Sequence, residues 1–155
     1  MNNTELVEKW HNGVRLLQVA HNMAASHYCR INRLLGIPVV VLSAIVVTSI
    51  FASLQSEVHI VMKVVVGMLS VCAAVLSGLQ TFLRHAELAE KHRIAAGKFG
   101  ELRREIQQVA AFPPKEEEKF AEFCESFRAR WDEAEKESPT LQQKLHDAAR
   151  SSLAG

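Results

Sequence analysis

Residues 34–54, LLGIPVVVLSAIVVTSIFASL, and residues 64–83, VVVGMLSVCAAVLSGLQTFL, decide the fold of this chain. Each stretch has about 20 residues and contains no Asp, Glu, Lys, Arg or His, although such acidic and basic residues crowd the rest of the chain. As a helix, each would be about 30 Å long, the thickness of the hydrocarbon core of a bilayer. A core helix of a soluble protein usually keeps a polar face, and neither stretch has an ionisable one. The sequence therefore predicts a transmembrane helical hairpin with spans at about 34–54 and 60–83.

Basic residues near the two spans predict the orientation of the hairpin. Lys63 is the only Lys or Arg in residues 55–63, which separate the two uncharged stretches. Both flanks are basic: Arg15, Arg30, Arg33, Arg84, Lys91, Arg93 and Lys98. The positive-inside rule then places both termini in the cytoplasm. We expect a cytoplasmic amphipathic helix at 1–33, the transmembrane hairpin at 34–83 and a cytoplasmic helical region at 84–155. The polar residues before the first span are not those of a cleavable signal peptide.

Apolar residues at helical spacing predict long helices on both sides of the hairpin. The first stripe consists of Leu6, Trp10, Gly13, Leu17, Ala20 and Ala24. Gly36 and Pro38 predict a kink or break where this helix meets the membrane. After the second span the pattern is uninterrupted, so we expect that span to continue into one long cytoplasmic helix that reaches Ala111. The apolar stripe of this helix is assigned to coiled-coil contacts between copies: Leu88, His92, Ala95, Phe99, Leu102 and Ile106.

Proline-containing segments divide the remainder of the chain. Phe112-Pro113-Pro114 ends the long helix, and Ser138-Pro139-Thr140 ends the next one. Further helices are predicted over Lys115–Glu137 and Leu141–Leu153. Because no segment alternates apolar and polar residues as a strand does, the predicted class is an all-α membrane protein.

The sequence contains no recognisable catalytic or metal-binding pattern. We find no nucleophile constellation and no glycine-rich phosphate loop, and His85 and His92 are seven residues apart, which is not a zinc-ligand spacing. His92 is expected to be a hydrogen-bonded packing residue. The three cysteines are scattered and odd in number, and the net charge of +1 gives no reason to invoke nucleic acid. We therefore expect no enzyme, no catalytic residue, no cofactor and no metal.

The second span carries a row of small side chains, which we call the small-residue seam: Gly67, Ser70, Ala74, Ser77 and Thr81. Small residues allow transmembrane helices to approach closely, so one interpretation is helix packing. The other is that the seam lines a pore formed by several copies, since two spans from one chain cannot enclose a channel. Both remain open. Lipid contact is assigned to span one and to the other face of span two: Val65, Leu69, Val75, Leu76, Leu79 and Leu83.

Several motifs follow one another around the hairpin: Tyr28-Cys29-Arg30-Ile31-Asn32 with Gly36-Ile37-Pro38, then Ser77-Gly78-Leu79-Gln80-Thr81-Phe82, Glu87–Arg93 and Leu102–Ile106. In this order they resemble the SLATT family of two-transmembrane effectors. The resemblance implies a bacterial inner-membrane effector of conflict and antiviral systems that forms homo-oligomeric pores and acts by abortive infection. Members of the family are paired with a nucleotide-second-messenger synthase or another sensor, so the resemblance implies that sensing comes from such a separate partner or from the helical region itself. The alternative is a non-conducting membrane-anchored helical scaffold that recruits a cytoplasmic partner.

Overall fold

A computed structural model describes residues 2–53, 59–114 and 116–154, and all regular structure in these ranges is helical. The helices are α1 (Asn3–Ser53), α2 (Ile60–Leu83), α3 (His85–Ala111), α4 (Glu117–Glu137) and α5 (Gln143–Ala154). The predicted all-α class with two long apolar helices is confirmed. The expected end of span one at Leu54, most of the connecting segment and the expected helix start at Lys115 lie outside the described residues.

The chain divides into two compact units. We call Tyr28–Glu87 the hairpin, because it contains most of the apolar part of α1 and the whole of α2. We call residues 1–27 and 88–155 the bundle, which contains the first part of α1, most of α3, and α4 and α5.

Helix α1 continues through the segment where a break was expected. Pro38 lies inside the helix, which is uninterrupted from Asn3 to Ser53, so a break near Gly36 and Pro38 is wrong, whereas a kink there stays a prediction. Proline removes a single backbone donor, and in transmembrane helices neighbouring groups commonly compensate for that loss.

The interruption lies instead at the end of α2. Arg84 adopts the left-handed conformation, with φ 46° and ψ 37°, and α3 begins at the next residue. A long helix does follow the second span, as predicted, but the expectation of one unbroken rod is wrong. A left-handed residue is a common helix terminator, although a residue other than glycine in this conformation costs about 1–2 kcal/mol.

The breaks at proline are where the sequence predicted them. Helix α3 ends at Ala111, directly before Phe112-Pro113-Pro114, and α4 ends at Glu137, directly before Ser138-Pro139. The last helix begins at Gln143 rather than at Leu141. Because proline lacks the backbone donor that helix propagation needs, these boundaries follow from local chemistry.

The core of the bundle is formed by α1, α3 and α4. Its buried residues are Val7, Val14, Ala95, Phe99, Leu102, Ile106, Phe120, Phe127 and Ala134. Trp10 stacks on Phe127 with ring centroids 5.3 Å apart, and Trp131 meets Phe127 edge to face. Gly13 lies beneath Trp131, since a Cβ at this glycine would be 2.8 Å from the indole ring. The aromatic side chains of α4 therefore pack directly against α1.

Candidate functional site

Within the hairpin, one side of α2 faces α1. The α2 residues that lose exposure there are Val66, Leu69, Ser70, Ala73, Leu76 and Gln80, and the matching row on α1 is Leu35, Gly36, Val39, Leu42, Val46 and Ser49. The two helices approach closely at Gly36, where an added Cβ would lie 3.1 Å from Nε2 of Gln80. The two helices therefore pack through mixed aliphatic and small residues.

The small-residue seam mostly lies outside this contact. Gly67, Ala74, Ser77 and Thr81 are exposed, and Ser70 alone is half-buried. At 100° per residue, the centre of the seam is about a quarter turn around α2 from the side that faces α1. A Cβ added to Gly67 would meet nothing within 4 Å, and the same is true of Gly78. The seam is therefore an accessible surface of the protomer and does not serve to join α2 to α1.

Four hydroxyl groups of the hairpin bond to carbonyl groups of their own helices. Ser70 Oγ donates to the carbonyl of Val66 at 2.9 Å, and Thr81 Oγ1 donates to that of Ser77 at 3.0 Å. On α1, Thr48 and Ser49 each donate to the carbonyl four residues earlier at 2.8 Å. Since these donors are satisfied within one helix, the seam presents weakly polar surface.

The lipid-facing assignment needs a partial correction. Val65, Val75, Leu79 and Leu83 are exposed, as expected. Leu69 and Leu76 are half-buried on the side that faces α1. The sequence placed all of them on one face because they are all large and apolar, a property shared by lipid-facing and helix-facing positions. Span one likewise is not lipid-facing all round, since one of its faces packs on α2.

The apolar stripe of α3 is buried inside the bundle. His92, Ala95, Phe99, Leu102 and Ile106 are each at most 5% exposed, and Leu88 is half-buried. Ala95, Phe99, Leu102 and Ile106 belong to the core that α3 forms with α1 and α4 of the same chain. The periodicity identified a buried face and could not say which helices bury it; the assignment of the stripe to contacts between copies stays a prediction, which would require these helices to separate.

Two histidines meet within the bundle, and the sequence identified only one of them. Nδ1 of His21 on α1 lies 2.9 Å from Nδ1 of His92 on α3, and the two residues are 2% and 1% exposed. One ring nitrogen donates and the other accepts, so the two tautomers must be complementary. Phe99 stacks on His21 with centroids 5.4 Å apart. The expectation that His92 is a hydrogen-bonded packing residue is thus confirmed.

Burial determines the charge of this histidine pair. It lowers the pKa of His21 to about 4, with a further contribution from repulsion by His92, and it also lowers the pKa of His92. Both rings are therefore neutral at pH 7. A neutral pair can share one hydrogen bond between α1 and α3, whereas two protonated rings would place donor against donor.

Ion pairs join α3 to α4 on the outside of the bundle. Arg130 donates to both carboxylate oxygens of Glu105, at 2.7 and 2.5 Å, and Lys98 pairs with Glu137. These pairs are partly exposed, so solvent screening leaves each of them with only a small contribution to stability. They fix the position of α4 less strongly than its buried aromatic side chains do.

A cavity of about 540 Å³ opens where α1 begins, α3 ends and α4 begins. Its lining is mainly apolar and includes Val7, Val109, Pro114 and Phe120, with Glu8 and His11 among its polar members. None of the described residues that line the cavity is a Lys or an Arg.

The described ranges contain no group of three His, Cys, Asp or Glu side chains that could hold a metal ion. The cysteines at positions 29, 72 and 124 are free thiols. Burial raises the pKa of the Cys124 thiol, which disfavours the reactive thiolate there.

Two helices in the structure are long and apolar enough to cross a membrane, and together they define a two-span helical membrane protein. A family model, the SMODS and SLOG-associating two-transmembrane effector domain family 4, matches residues 9–111. The match covers about two thirds of the chain, so the chain belongs to this SLATT family and is a membrane effector of the conflict-system class. No curated protein and no solved structure matches the chain.

Proposed function

We propose that several copies of this chain assemble in the bacterial inner membrane and permeabilise it in an antiviral response. Both termini would lie in the cytoplasm, and a partner sensor or a nucleotide signal would trigger opening. Family membership supports the effector role. The observation that carries the pore is the exposed small-residue seam on α2, on a side that packing within the hairpin leaves unused.

The seam suits contact between copies because its residues lack bulk. Open space next to Gly67 and Gly78 would allow a helix of another copy to approach α2 closely. Repacking of that contact would expose the same small side chains to water. Such a pore would have a weakly polar wall that opens by wetting and closes by excluding water.

The absence of charge in the inner part of α2, from residue 64 to residue 83, limits what the pore can select. No Asp, Glu, Lys, Arg or His occurs in residues 64–83. Ion-selective pathways and proton-coupled transporters usually keep such a group within the membrane. We therefore propose a crude leak that collapses ion gradients.

The bundle would restrain the hairpin until the trigger arrives. Helix α4 covers the apolar stripe of α3, with Phe127 completely buried. The scaffold alternative needs a surface that recruits a cytoplasmic partner, and the stripe of α3 does not offer one while α4 covers it. Contacts between copies are accordingly assigned to the hairpin.

The test is dye release from liposomes that contain the purified full-length protein, measured with and without the product of a neighbouring gene. Ala74→Phe places a large ring on the seam, and we expect it to reduce release at least tenfold. Val75→Phe is the matched control, because it adds the same ring at the same depth outside the seam and should release dye like the wild type.

Two results would contradict the pore. One is that the wild-type protein leaves vesicles tight under every triggering condition while it still binds its partner, which would support the scaffold. The other is equal loss of release in the Ala74 and Val75 variants, because the seam would then have no special role.

A further inference from the structure

Three arginines lie at the end of the hairpin at which α1 enters and α2 ends. Arg30 and Arg33 lie on α1 and are exposed, and neither forms an ion pair with any residue in the described ranges. Arg84, at the end of α2, has a side chain that is 70% exposed and pairs with Glu87. This end of the hairpin therefore has surplus positive charge.

Two contacts show that the three arginines lie at one level. Gly36 on α1 is opposite Gln80 on α2, and Tyr28 stacks on His85 with ring centroids 5.8 Å apart. Along α1, Arg30 and Arg33 lie between Tyr28 and Gly36. Along the other side of the hairpin, Arg84 lies between Gln80 and His85. The layer they form, which we call the arginine layer, is about 12 Å deep at 1.5 Å per residue.

The arginine layer adjoins the apolar part of the hairpin without a spacer. The residue after Arg33 begins the uncharged stretch 34–54, and Arg84 follows immediately on the uncharged stretch 64–83. In a membrane, this level is where hydrocarbon gives way to lipid headgroups. A planar guanidinium donates two parallel hydrogen bonds to a phosphate, which makes arginine well suited to bind such groups.

We propose that the arginine layer binds the phosphates of anionic phospholipids in the leaflet it faces. The choice of partner rests on charge complementarity, since phosphatidylglycerol carries a net negative charge and phosphatidylcholine does not. Each basic residue near a membrane surface raises the binding constant for anionic lipid by about fivefold. The unpaired Arg30 and Arg33 together should therefore contribute about 30-fold, and Arg84 should contribute less because Glu87 offsets its charge. The inference requires only that the hairpin is inserted and is independent of pore formation.

The test is lipid binding by the full-length protein in neutral detergent micelles, titrated with phosphatidylglycerol or phosphatidylcholine and followed by native mass spectrometry. We expect the wild type to prefer phosphatidylglycerol. In the double variant Arg30→Gln/Arg33→Gln, the ratio of the affinity for phosphatidylglycerol to that for phosphatidylcholine should be about 30-fold lower. The matched control Arg15→Gln/Arg128→Gln removes two exposed charges from the bundle and should change the preference less than twofold.

A parallel titration with inorganic phosphate distinguishes lipid from a free anion. Phosphate at the same concentration should not displace phosphatidylglycerol. Displacement by phosphate would overturn the assignment to lipid. Equal affinity of the wild type for both lipids would overturn the proposal that the arginine layer binds anionic lipid. An equal loss of lipid preference in the two double variants would overturn it as well. Because binding is measured without any leak, a failed pore would leave these results unaffected.

Discussion

The buried histidine pair predicts a specific loss of stability in mild acid. His21 and His92 share a hydrogen bond inside the bundle, and the double variant His21→Leu/His92→Leu removes both titrating groups together. At pH 7, replacing both partners by apolar groups of similar size should change the free energy of unfolding little. The single variant His21→Leu should instead destabilise the bundle by about 1–3 kcal/mol, because it leaves Nδ1 of His92 without that partner.

The size of the acid effect follows from the pKa of His21. This pKa is about 4 in the folded protein, below the ordinary value of 6.5. Above pH 6.5 both the folded and the unfolded states are neutral at this position. As the pH falls from 6.5 to about 4, the unfolded state binds a proton that the folded state does not, so stability is lost. At 1.36 kcal/mol per pKa unit, the loss is about 3 kcal/mol, and His92 shifts in the same direction.

The assay is urea unfolding in detergent micelles between pH 7.5 and pH 4, followed by tryptophan fluorescence. The chain has two tryptophans, Trp10 and Trp131, and both pack in the bundle beside Phe127. The signal therefore reports on the bundle. Carboxylates that titrate in both proteins cancel when the double variant is subtracted from the wild type. From pH 7.5 to pH 4, the wild type should lose about 3 kcal/mol more of its free energy of unfolding than the double variant does. If the free energies of unfolding of the two proteins change in parallel with pH, the reasoning is refuted.

Three substitutions test the packing of the bundle by the same unfolding assay. Gly13→Ala should destabilise by about 1–3 kcal/mol, because its Cβ would lie 2.8 Å from the ring of Trp131; no change would mean that the ring does not pack there. Gly97→Ala is the matched control, and it should stabilise by about 0.5–1 kcal/mol because nothing lies within 4 Å of the new Cβ in the middle of α3. Phe127→Ala should cost about 3–5 kcal/mol because the ring is completely buried, and a cost below 1 kcal/mol would contradict the position of α4.

The features that the sequence predicted well have local causes. The uncharged stretches of about 20 residues identify helices long enough to span a membrane, whatever their neighbours are. The helix ends before Pro113 and Pro139 follow from the missing backbone donor of proline. The helical spacing of apolar residues on α3 likewise predicted a buried face without identifying the helices that pack against it.

The features that it missed depend on tertiary contacts. Arg84 ends α2 without any glycine or proline to signal the interruption, whereas Pro38 lies in a helix that continues. His21 lies next to the predicted stripe of α1, which included Ala20 and Ala24, so periodicity alone did not place it opposite His92. Spacing also could not show that α4 covers the stripe of α3, because a helical period says which residues face inward and does not identify what they face.

The most direct test of the central claim is single-channel recording in planar bilayers on a cysteine-free background, where Cys29, Cys72 and Cys124 are replaced by serine. Ala74→Cys introduces a thiol on the small-residue seam, and Val75→Cys introduces one at the same depth outside it. If the seam lines the pore, a water-soluble, positively charged methanethiosulfonate reagent will reduce the conductance of the Ala74→Cys channel and leave the Val75→Cys channel unchanged. Conductance that is unaffected in the Ala74→Cys channel, or equally reduced in both, would contradict a pore lined by the seam.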